Sequence, residues 1–115
     1  MRIATIACLI TVAAACGGSI PPPNDAWAAA QAAGGRAEAG GAPAVPDAKL
    51  HLELAKEDLA KSKPLISDDS RRAKDLIDVA KVEAQLALSL AKQQQAQDAA
   101  KKAQDDLARV KGGGQ

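Results

Sequence analysis

The chain has 115 residues, with 15 basic and 14 acidic side chains, a single Trp, and neither Phe nor Tyr. That length holds one small domain, and a net charge near zero with no set of stacking rings excludes a nucleic-acid surface. Large apolar side chains are scarce, so any core buries little area and carries modest stability. The high net charge that keeps many such chains disordered is also missing, and a composition rich in Ala, Lys, Asp/Glu, Gln and Leu favours helix.

At the amino terminus, Arg2 supplies one positive charge, and Ile3 to Ala15 then runs without a charge. A bilayer span needs about 20 apolar residues, so this run has the length of a signal-peptide core and is too short for a stable transmembrane helix. It ends in Ala13-Ala14-Ala15-Cys16, followed by Gly17-Gly18-Ser19 and Pro21-Pro22-Pro23. Small residues before the cut let an extended chain enter a peptidase cleft, and the Gly and Pro residues beyond it oppose helix.

This junction resembles the lipobox of bacterial lipoproteins, in which small residues precede an obligatory Cys. The resemblance implies cleavage between Ala15 and Cys16, a diacylglyceryl group on the Cys16 thiol and acylation of its new amine. It departs at Ala13, where the lipobox usually has Leu. The same three alanines also fit the A-x-A pattern of an ordinary secretory signal, which would leave a soluble periplasmic protein. The lipoprotein reading explains why a Cys stands at the cut. Cys8 falls in the discarded segment, so the mature chain keeps Cys16 alone and forms no internal disulfide. In such lipoproteins Asp after the Cys retains the protein at the inner membrane; Gly17 at this position implies the outer membrane, periplasmic side.

Residues 16–46 hold most of the glycines and all but one of the six prolines, the composition of a flexible tether. Within it, residues 25–33 can form a short helix capped by Asp25 and stopped by Gly34-Gly35, with Trp27 as its anchor. Trp27 either packs on later helices or sits at a membrane interface; packing is the expectation. A helix over residues 47–63 follows, with Asp47 as its N-cap and Pro64 as its end. Ala48, Leu52, Ala55 and Leu59 recur on one side of it, and Leu50 and Leu54 lie on another.

After a break at residues 64–67, Asp68, Asp69 and Ser70 suit a helix start. No Gly or Pro then interrupts the chain before Gly112, so one helix is expected over residues 68–111, with residues 112–115 as a tail. Asp68/Arg72, Lys74/Asp78, Asp98/Lys102 and Asp105/Arg109 are four apart, as on a solvated face. A heptad-type seam passes through Val79, Val82, Leu86, Ser89, Gln93, Ala96, Ala100, Ala103, Leu107 and Val110. A second stripe, Ala73, Leu76, Ile77, Ala80, Ala84, Ala87 and Ala91, occupies the first half only. The short connection lays the two helices antiparallel, and the shorter one leaves roughly residues 90–110 as an overhang. Leu86 is expected near the hairpin contact. The fold class is therefore all-α: an antiparallel helical hairpin with one long helix and a short third helix, behind a lipidated tether.

The order of these features resembles the uncharacterised bacterial lipoproteins grouped as domain of unknown function 4398. The likeness covers about residues 25–108 through Leu52-x-x-Ala55-x-x-x-Leu59-Ala60 and Ala73-x-x-Leu76-x-x-x-Ala80-x-x-x-Ala84-x-Leu86-Ala87. It implies an envelope location and a helical hairpin, and it brings no activity.

No arrangement of residues suggests catalysis, and no cofactor, metal or small-molecule substrate is expected. His51 is the only histidine and has no ligand or nucleophile beside it on its own helix. The expected role is structural or protein-interacting, at the cell envelope. Partners would be the membrane, through Cys16, and an envelope protein or weak self-association along the seam at Ala96, Ala100, Ala103, Leu107 and Val110. An amphipathic membrane-binding or scaffold helix is the alternative, weakened by a seam that is mostly alanine.

Overall fold

The computed structural model describes residues 20–113. Ala15, Cys16 and Gly17 lie outside them. Every regular element among the described residues is helical: α1 (Asn24–Ala39), a 3-10 turn (Ala42–Ala44), α2 (Pro46–Ser62), α3 (Leu65–Asp68) and α4 (Ser70–Gly112). The all-α class and the single long helix match the expectation.

The first helix departs most from it. α1 starts at Asn24 after Pro23, with Asp25 in its first turn, and continues through Gly34 and Gly35. Each interior glycine costs about 1 kcal/mol relative to Ala. Burial of Ala30, Ala33 and Ala37 along one side of α1 opposes that cost, so tertiary packing overrides the local stop signal. Residues 24–46 are thus packed structure where a tether with helix 25–33 was expected. The chain turns at the next glycine pair. The Gly40 N–H donates to the Arg36 carbonyl at 2.9 Å, and Gly41 adopts φ +89°, a left-handed conformation that suits glycine.

α2 begins at Pro46, whose fixed φ and missing N–H suit the first helical position; Val45 is the cap, and Asp47 sits inside the first turn. The helix closes at Ser62, whose hydroxyl donates to the Leu59 carbonyl at 2.8 Å, and Pro64 prevents its continuation. Residues expected as an open break instead form the single turn α3. Asp69 then caps α4, its carboxylate accepting the Arg72 N–H at 3.0 Å. α4 has 43 residues. At 1.5 Å per residue that is about 65 Å.

Three helices meet along alanine. Ala48 and Leu52 of α2 share a cluster with Ala87 and Ala91, while Ala55 meets Ala84, so α2 and α4 run antiparallel. Ala33 joins the Ala84 cluster and Ala37 the Ala87–Ala91 one, which sets α1 parallel to α4. The hairpin is therefore one part of an up-down-up bundle. Among the described residues its core is 11 buried alanines with Leu52 and Ile77, and Pro23 is buried at the start of α1. Small side chains let backbones approach closely, so dispersion contacts accumulate although each methyl contributes only about 0.8 kcal/mol.

On α4 the buried stripe is Ala73, Ile77, Ala80, Ala84, Ala87 and Ala91. The larger residues of the heptad seam stay outside. Leu86, expected at the hairpin contact, is 39 % exposed, and Val79 and Val82 are 49 % and 62 % exposed.

Candidate interaction surface

The two stripes of α4 point in nearly opposite directions. At about 100° per residue, the seam through Val79, Val82 and Leu86 lies roughly 150° around the helix from the buried alanine stripe. All ten seam residues from Val79 to Val110 are exposed. Beyond Ala91 every described residue is exposed as far as Gly113. The expected interaction residues Ala96, Ala100, Ala103, Leu107 and Val110 therefore share one bare helix face. That face continues without interruption onto the outside of the bundle.

Polar ties hold the bundled half of α4 in place. His51 Nδ1 of α2 lies 2.5 Å from Glu83 Oε2 of α4, with both side chains about one-quarter exposed. His51, expected as an isolated imidazole, therefore has a partner on another helix. Gln95, one turn past the last buried alanine, donates from Nε2 to the Gly40 carbonyl at 2.9 Å. This bond fastens α4 to the turn between α1 and α2 where the bundle ends. Nothing local in the sequence marks it, since Gln95 is one of three consecutive glutamines.

On the opposite side, Lys56 of α2 pairs with Glu38 of α1 at 2.8 Å. Hydrogen bonds to Glu38 and then Glu53 raise the Lys56 pKa above its usual value. Along the exposed side of α2, a hydrogen bond from Lys61 holds the Glu57 pKa below its usual range. Both pairs are open to solvent and contribute little to stability.

Between α1 and α2 runs a shallow groove of about 450 Å³, floored at Gly34 and Gly35 and bounded by Trp27, Leu59, Ala60 and Lys63. A Cβ at either glycine would meet nothing within 4 Å. Trp27 packs here against α2, as expected, with the Lys63 ammonium 5.8 Å from its ring centroid. Its indole Nε1 is buried without a hydrogen-bond partner among the described residues.

Among the described residues no group of three or more His, Cys, Asp or Glu is placed to hold a metal ion. No helix there is long and apolar enough to cross a membrane. No protein-family model matches the chain, and no curated protein or solved structure shows significant similarity to it.

Proposed function

We propose that the protein is a lipid-anchored envelope protein whose bundle supports α4 as a projecting helical arm for protein interaction. The observation that carries this reading is the exposure of α4 from Lys92 to Gly112 as continuous helix. An isolated helix of that length is marginal in water, because nucleation is costly and no packing repays it. Here the bundled half supplies the nucleus, and the remainder extends from it with its alanine seam outward. Small side chains on that face admit a close-packing partner helix, and the charged residues around it keep the arm solvated.

Anchorage rests on the Ala13-Ala14-Ala15-Cys16 junction, and Gly17 favours the outer membrane. α1 begins at Asn24, eight residues beyond Cys16, so a lipidated Cys16 would hold the bundle close to the membrane surface. The reading assigns no catalytic role.

The test is capture of envelope proteins by the full chain and by Ala100→Asp, with the recovered proteins identified by mass spectrometry. A specific set recovered by wild type and lost with Ala100→Asp supports the reading. Identical recovery from both proteins would refute it.

A further inference from the structure

We infer that α4 pairs with α4 of a second copy in antiparallel orientation, along the exposed seam from Val79 to Val110. The inference rests on reading that face as an interaction surface and names the partner it fits.

Three observations point to a second copy. The seam alternates spacings of three and four over 32 residues, about 48 Å of helix, and none of it is covered. Its side chains complement themselves about a centre between Gln94 and Gln95. With that centre as a two-fold axis, Val79 faces Val110, Val82 faces Leu107 and Leu86 faces Ala103 of the other copy. Every layer then joins the first apolar heptad position of one helix to the second of the other, the composition of antiparallel coiled coils. No layer sets alanine on alanine. A parallel pair would leave three adjacent alanine layers, at Ala96, Ala100 and Ala103, and would stack Gln93 on Gln93.

The second observation is one of length. The bundled part of α4, residues 70–91, and the bare part, residues 92–112, are 22 and 21 residues long. About the axis between Gln94 and Gln95, residues 92–110 of one copy lie along residues 79–97 of the other, so most of the bare half is covered by the outer face of the partner's bundled half. From Val79 to Ser89 the seam is exposed and points away from α1 and α2, while Gln93 borders a shallow groove beside Val45 and Asp47. The bundle therefore does not obstruct this approach. The third observation is electrostatic: antiparallel helices oppose their macrodipoles, whereas parallel ones align them.

Large side chains meet only toward the two ends of the seam, so the dimer is weak and dissociates on dilution. The weak self-association expected from alanine alone is strengthened because Val79, Val82 and Leu86 are free to take part.

Sedimentation of the full chain over a dilution series, in mild detergent, tests the pairing. Wild type is expected to pass from dimer to monomer on dilution. Val82→Lys and Leu107→Glu each replace an exposed side chain and leave the bundle folded, as circular dichroism would verify; each weakens the dimer at least about tenfold. Together they form Lys–Glu pairs only in the antiparallel register, so V82K/L107E should recover most of the lost affinity. Failure of the double variant to tighten over V82K would overturn the antiparallel pairing. So would a wild type that remains monomeric at every concentration, including one that floats with phosphatidylethanolamine–phosphatidylglycerol vesicles and shows the face to be lipid-binding. Val82 lies outside the bare half of α4. If V82K leaves self-association unchanged while Ala100→Asp still loses an envelope partner, the pairing fails and the proposed function stands.

Discussion

His51 and Glu83, thirty-two positions apart in the chain, meet across the α2–α4 contact with Nδ1 2.5 Å from Oε2. Because both are partly shielded, the bond counts for more than the surface pairs along α2 and α4. Removing either partner is expected to cost about 1 kcal/mol. A double-mutant cycle of His51→Ala and Glu83→Ala, read by urea unfolding, should return a coupling of about that size. Strict additivity would show that the two residues do not interact.

Ala84 packs between Ala33 and Ala55, where α1, α2 and α4 meet. Overpacking a tight core costs about 1–3 kcal/mol, and this junction has no larger side chain to give way. Ala84→Leu should therefore lower the melting temperature clearly, and Ala84→Asp, burying an unpaired charge, should unfold the bundle. Leu86→Asp, two residues on, should leave the monomer folded because Leu86 is 39 % exposed. That outcome reverses what its heptad position suggests, and thermal melts of the three variants decide it.

This pair of neighbours shows how far the sequence could be read. Helix content, the α2–α4 turn at Pro64 and the bare end of α4 all followed from periodicity and from the absence of Gly and Pro between Pro64 and Gly112. Both stripes on α4 were visible as well. Which one faced inward was not, because size favoured Val79, Val82 and Leu86 while the decision belonged to α1. Gly34-Gly35 concealed α1 as a long helix: a local stop signal cannot report that Ala30, Ala33 and Ala37 find a surface to bury. Once α1 joins, close approach selects the alanine stripe and leaves the larger residues outside. The His51–Glu83 and Gln95–Gly40 contacts depend on that register and had no local signature.

Gly41 holds φ +89° at the turn out of α1, and a Cβ there would come within 2.9 Å of Gln95 Nε2. An L side chain in this conformation costs about 1–2 kcal/mol. Gly41→Ala should destabilise the bundle by that amount. Gly35→Ala, in open space at a regular helical position, should stabilise it by up to about 1 kcal/mol. Opposite shifts in the unfolding midpoints are the expected result; equal shifts would contradict the turn geometry.

Cys16 lies outside the described residues, and its chemistry is directly measurable. Lipidation would give the mature amino-terminal peptide the added mass of acyl chains and carry the protein into the detergent phase. Each buried methylene contributes about 0.8 kcal/mol, so two or more chains anchor firmly. Cys16→Ser should yield unprocessed or soluble protein, and Gly17→Asp should shift the anchored form toward inner-membrane fractions. An unmodified Cys16 on mature wild type would instead support the soluble periplasmic reading.

The last prediction concerns the unequal stability of the two halves of α4. Residues 70–91 cannot melt without breaking up the bundle, because Ala73, Ile77, Ala80, Ala84, Ala87 and Ala91 are buried in it. Residues 96–113 are joined to the bundle by their own helix alone, past the last tie at Gln95. Opening them costs only helix propagation, a fraction of a kcal/mol per residue, and fraying proceeds inward from Gly112. In dilute protein, amide hydrogen exchange should therefore show strong protection from Ala73 to Ala91, falling steeply beyond Gln95. A chain ending at Gln95 should melt within a few degrees of the full one while losing helical signal in proportion to the residues removed. Raising the concentration of the full chain should restore protection beyond Gln95, because pairing covers the bare half. Val82→Lys should abolish that concentration dependence without changing protection within the bundle. Uniform protection along α4 in dilute protein would show that the bare half is stabilised by contacts other than a second copy.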